Sequence, residues 1–136
     1  MDGDTRRSEE FGAYRAAAAL DADPEEFMMM ALDSLRALLT RAEAAINTGD
    51  KVEKARALDA AGKLVEFLLG LSGIEHGDLS DRLAAIYQFV MTSILRGNAL
   101  DDTEAVAAAR QAVEHITGVW RGIFAAKVID PQGATP

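Results

Sequence analysis

The side chains that most often carry chemistry are few in this chain, and they do not converge. His76 falls in a loop-forming stretch, and His115 lies about 200° around a helix from the apolar Val113, on the outer face, so the two make no metal-ligand spacing. The adjacent carboxylates Glu25-Glu26 and Asp101-Asp102 stand at helix starts, where capping and the helix dipole already account for acidic residues. There is no cysteine, which excludes disulfides, thiolate metal sites and cysteine nucleophiles and fits a reducing compartment. A glycine-rich phosphate loop needs a strand before it, and no stretch alternates with a period of two. An all-helical enzyme acting on an anionic substrate, in the manner of a chorismate mutase, would need basic groups pointing inward. Arg36, Arg41, Arg56, Arg96 and Arg121 instead map to outer or boundary positions. The sequence therefore predicts no catalytic residue, no metal and no cofactor.

Charge and hydropathy narrow the partners. At 136 residues, with a net charge of -8 and a pI near 4.7, the chain has the size of one domain and the wrong sign for tracking phosphates, so nucleic acid is not expected. Its apolar runs are too short to span a membrane, and "MDGDTRRSEE" lacks a hydrophobic export region. A cytoplasmic protein is expected.

The elements that must position any site are helices. Asp23 can cap a first helix over about 23–47, with Pro24 in its first turn and Glu26 completing a capping box. Gly49 stops it, and Asp50, with Glu53 three residues on, starts a second over about 50–71. Asp78 is the expected cap of a third over about 78–98, ending at Gly97-Asn98, and Asp101 with Glu104 opens a fourth over 101–126. Apolar residues recur in steps of three and four: Met28, Leu32, Leu35, Leu39, Ala42 and Ile46; then Leu58, Ala61, Val65, Leu68 and Leu69. The third helix gives Leu79, Leu83, Ile86, Val90 and Ile94, and the fourth Val106, Ala109, Val113, Ile116, Trp120 and Ile123. Helices roughly 35 Å long joined by short loops must fold back on one another. The prediction is an all-α, antiparallel up-down-up-down four-helix bundle, preceded by a flexible N-terminal segment, 1–22, and followed by a flexible tail, 127–136.

Several apolar residues do not fit these seams. In "PEEFMMMALDSL" three adjacent methionines cannot share a face; with the seam at 0°, Met28 falls at about 20°, Met29 at about 120° and Met30 at about -140°. Phe67 lies about 160° from Val65, with Leu64 and Leu71 widening the stripe towards it, and Phe89, Met91 and Leu95 stand off the third seam. A bundle helix needs an apolar arc of little more than about 100°. Wider arcs either bury against neighbours on two sides or form grooves for an amphipathic helix, where methionine adapts to different shapes. On the second reading the partner-binding residues are Phe27, Met29, Met30, Leu64, Phe67, Leu71, Phe89, Met91 and Leu95. Phe11 and Tyr14 of the N-terminal segment would be a displaceable cover.

The seams also carry a resemblance. "GAYR", then "DPEEFMMMALDSLRALLTRAEAAINTGD", then "LAAIYQFVMTSILRGN" and Trp120 resemble the FliS family of flagellin-export chaperones in order and spacing over about residues 13–124. The matching positions are Tyr14, Pro24, Met30, Asp33, Ala42, Ala45, Ile46, Gly49, Asp50, Leu83, Tyr87 and Asn98, while Leu32, Ser34 and Thr92-Ser93 depart from the pattern. The resemblance implies a cytoplasmic, non-enzymatic bundle that binds the disordered C-terminal segment of flagellin, keeps it from polymerising early and passes it to the flagellar type III export gate. The alternative on the residues alone is a structural or regulatory bundle whose apolar surface makes a homodimer.

Overall fold

Asp23 starts the first helix as its sequence requires. Its Oδ1 accepts a hydrogen bond from the Glu26 N–H at 3.2 Å, and Pro24 takes the first helical position, where its missing N–H costs nothing. Helix α1 runs Pro24–Thr48 and closes on Gly49 in the left-handed region, φ 77°. The Gly49 N–H donates to the Ile46 carbonyl at 3.2 Å and the Asp50 N–H to that of Ala45 at 2.8 Å, a Schellman closure that a side chain at residue 49 would strain. Asp50 at once caps α2, Lys51–Ser72, accepting from the Glu53 N–H at 3.0 Å. Two further helices follow, α3 over Asp78–Leu100 and α4 over Thr103–Gly133. This computed structural model describes the backbone of residues 23–72 and 78–133 and the side chains of 23–71 and 78–126. The segment with Phe11 and Tyr14, and the loop with His76, lie outside the described residues.

Each helix packs on two others: α1 on α2 and α4, and α3 on α2 and α4. That cyclic order, with two-residue corners at 49–50 and 101–102, is the expected up-down-up-down four-helix bundle. The core follows the predicted seams closely in α1, α2 and α4, with Leu32, Leu35, Leu39, Leu58, Val65, Val106, Val113 and Ile116 essentially sealed from solvent. Burying one such side chain contributes about 1.5–3 kcal/mol, and the continuous stripe is what turns four marginal helices into one cooperative unit.

Three features differ from the sequence reading, for identifiable reasons. In α3 the buried stripe is Leu83, Tyr87, Val90, Ile94 and Gly97, so Tyr87 replaces Ile86 in the seam and Leu79 is exposed. The same three-and-four pattern admits both registers, and the large Tyr87 fills the core. Burial pushes its phenol up to about 12, the neighbouring Trp120 indole offsetting this in part. The two groups fall short of hydrogen-bond geometry, and Trp120 Nε1 is buried with no acceptor among the described residues. Second, α3 does not stop at Gly97-Asn98. Gly97 lies inside the helix, where the Val106 side chain of α4 packs against it: a Cβ on it would be driven into Cγ2 of Val106. Third, α4 is capped by Asp102, whose Oδ1 accepts from the Ala105 N–H at 3.1 Å, and not by Asp101; the helix continues past Ala126 to Gly133.

Asp101 is diverted by a residue the seams did not single out. Lys54 of α2 is only 8% exposed, and its Nζ donates to the Asn98 carbonyl at 2.9 Å and to Asp101 Oδ1 at 2.5 Å. The hydrogen bond from the Lys54 ammonium, ahead of its charge, holds the Asp101 carboxyl below the usual carboxylate range.

Candidate partner-binding surface

The apolar residues off the seams sort onto three junctions between neighbouring helices. At the α1–α2 junction Phe27 and Phe67 meet edge to face, centroids 5.4 Å apart at 85°. Both are half-buried, so the pair also staples the first turn of α1 to the end of α2. Met30, one turn beyond Phe27, is 52% exposed, and Leu71, one turn beyond Phe67, is half-buried against the core. At the α2–α3 junction the Sδ of Met91 packs over Gly62, 3.8 Å from where a Cβ would lie, and Leu95 on the next turn is 62% exposed.

The α3–α4 junction holds a shallow groove of about 530 Å³. Ala85, Ile86 and Phe89 line it from α3, and Ala108, Gln111, Ala112 and His115 from α4. Phe89, 49% exposed, forms one wall, while alanines one turn apart on α4 keep the floor low. Helical spacing on both walls suits an apolar helix face laid along the groove. The Gln111 amide and the His115 imidazole supply polar contacts at its edge.

The fourth junction, α1–α4, is closed by charge. Arg110 reaches from α4 to Glu43 of α1, Nε to Oε2 at 2.5 Å and a terminal nitrogen to Oε1 at 3.4 Å, and its other terminal nitrogen holds Glu114 at 3.3 Å. The hydrogen bond that Arg110 donates to Glu43, with a smaller contribution from the one to Glu114, raises the guanidinium further above its already high value. The bridge is partly sheltered and bidentate, the geometry in which an ion pair contributes most.

One expected contact residue is corrected by this arrangement. Leu64 is 3% exposed and belongs to the core, because α2 turns a broad face to both α1 and α3; it has no side chain to offer a partner. Met29 is half-buried and packs on the core beside Met28, as Leu71 and Met91 do, and Met30 is the most exposed of the methionine triplet. Conversely, most of the α3–α4 groove escaped the sequence reading. Heptad spacing puts Ile86 in the seam and His115 in solvent, and alanines at i, i+4 look like ordinary helix filler unless their common face is known. Among the described residues no group of three His, Asp or Glu is placed to hold a metal ion, and no helix is long and apolar enough to cross a membrane.

The fold and surface define a small all-α bundle whose exposed features are apolar seams between adjacent helices. The chain belongs to the FliS family: the family model described as flagellar protein FliS matches residues 7–127. It is 26% identical over 109 residues to the flagellar secretion chaperone FliS of Salmonella typhimurium strain LT2, the match covering 79% of this chain and 81% of that one. The first three helices, α4 as far as residue 127, and all three apolar junctions lie within the matched residues.

Proposed function

We propose that this chain is a cytoplasmic, non-enzymatic chaperone that binds the disordered C-terminal segment of flagellin, prevents its premature polymerisation and delivers it to the flagellar type III export apparatus. The observation that carries the reading is the succession of apolar surface at three consecutive helix junctions: Phe27, Met30, Phe67 and Leu71, then Met91 and Leu95, then the Phe89 groove. A disordered chain that orders on binding gains from several separated sites, because each short amphipathic helix it forms buries one apolar face. Family membership supplies the flagellar setting, and the name of the Salmonella relative supports the chaperone role. Contact with the export gate, and a cover formed by Phe11 and Tyr14, belong to the same proposal.

Pull-down with flagellin, full-length and lacking its last ~40 residues, about the length of two or three docked helices, tests it. Retention of the full-length protein alone is expected. Equal retention of both would remove the C-terminal segment as the client, and retention of neither would leave self-association as the use of the apolar seams.

A further inference from the structure

The two short corners of the bundle are built differently. The α1–α2 corner turns on Gly49, for which a positive φ carries no steric conflict. The α3–α4 corner turns on Asp101 at φ 52°, the one non-glycine residue with positive φ among those described. It is held there from outside. Lys54 of α2 grips both the Asp101 carboxylate and the Asn98 carbonyl, and Arg96 holds Asp102 Oδ2 at 3.3 Å. The Asn98 carbonyl belongs to the last turn of α3, and in an uninterrupted helix it would accept from the N–H of Asp102. Lys54 thus takes the place of a bond that a straight helix would make for itself. Between Asn98 and Val106 the sequence NALDDTEAV contains neither glycine nor proline, so nothing in it forbids helix.

We infer that the α3–α4 corner is a latched hinge, and that opening the Lys54 latch lets α3 and α4 join into one helix and exchanges α4 between two copies of this chain. The occupant is a second copy because the surface α4 vacates is made for α4: Glu43 of α1 faces Arg110, and the core stripe of α1 to α3 faces Val106, Ala109, Val113, Ile116 and Trp120. In a straight helix Gly97 and Val106 lie about 13–14 Å apart, so their contact is remade between copies, as is the Phe89 groove. This inference does not depend on the identity of the client.

Size-exclusion chromatography with light scattering on the full chain tests it, using Lys54→Met, the double variant Asp101→Ala/Asp102→Ala, and Asp101→Gly as a control that relaxes the turn. The first two are expected to shift towards dimer relative to the parent chain at equal helicity, and Asp101→Gly to shift little. Mixing tagged with untagged dimer should give mixed dimer only as slowly as the bundle unfolds. Folded variants that show no shift overturn the inference, as do dimers that mix within seconds. Loss of helicity in both latch variants would also overturn it, since the corner then could not open without loss of the bundle.

Discussion

Gly97 and Val106 face each other across the α3–α4 corner so closely that there is no room for a methyl group between them. Replacing an interior helical glycine by alanine ordinarily gains about 1 kcal/mol of helix propensity. Here the added Cβ meets a β-branched side chain with little rotamer freedom in a helix, and overpacking of that kind costs about 1–3 kcal/mol. Gly97→Ala is expected to lower the urea midpoint, and Val106→Ala in the same chain to recover part of the loss. A Gly97→Ala protein more stable than its parent would show that the corner relaxes freely.

Exposed and buried side chains on the apolar faces should separate binding from folding. Leu95→Glu and Phe89→Glu change side chains about half open to water, so stability is expected to move by about 0.5 kcal/mol or less while flagellin binding weakens about tenfold or more. Leu64→Ala empties a core position and is expected to cost about 2–5 kcal/mol with binding intact per folded molecule. Calorimetric titration on the folded variants checks both arms. Undiminished affinity in Leu95→Glu and Phe89→Glu together would remove the α2–α3 and α3–α4 junctions from the contact.

Phe67→Glu falls between these cases. Half-buried against Phe27, it is expected to weaken client binding and to cost about 1 kcal/mol of ring-pair packing as well, with helicity nearly unchanged. Global unfolding would place Phe67 in the core.

Alkaline pH should find Tyr87. Its proton is held more tightly in the folded chain, about 12 against 10.0, so stability is fully present below pH 10. As pH rises from 10 towards 12 the unfolded chain ionises first and stability falls, by roughly 2–3 kcal/mol in all. Denaturant midpoints measured across that window should decline in the parent chain and flatten in Tyr87→Phe; equal slopes would assign the decline to other groups.

The Arg110 bridge is expected to couple the outer helices. Arg110→Met leaves Glu43 sheltered and unpaired, and a double-mutant cycle with Glu43→Gln is expected to return a coupling of about 0.5–3 kcal/mol. A coupling near zero would make the bridge a surface ornament.

The bundle was legible in the sequence because its signals are local. Capping at Asp23 and Asp50 and the turn at Gly49 depend on residues within one turn of each other, and the α4 stripe from Val106 to Trp120 follows from spacing alone. What failed depends on distant partners. Asp101 looked like a cap until Lys54, 47 residues earlier, claimed its carboxylate. Gly97 looked like a helix stop because glycine serves both termination and close approach, and only the neighbouring Val106 distinguishes them. The contact residues were partly legible. Met30, Phe89 and Leu95 are too large and too far off the seam to be filler, whereas the alanine floor of the groove became visible only once α3 and α4 were side by side.

The charged α1–α4 junction carries a topological consequence. With apolar surface along three consecutive junctions and the Glu43–Arg110–Glu114 bridge across the fourth, a chain that followed the apolar surface would run around an open arc and could not close a ring. Such a chain keeps two ends that can be lifted one helix at a time. Its departure would then be a sequence of small steps, each breaking one short contact, and an acceptor gripping the first freed end could draw the rest away without the bundle itself having to open.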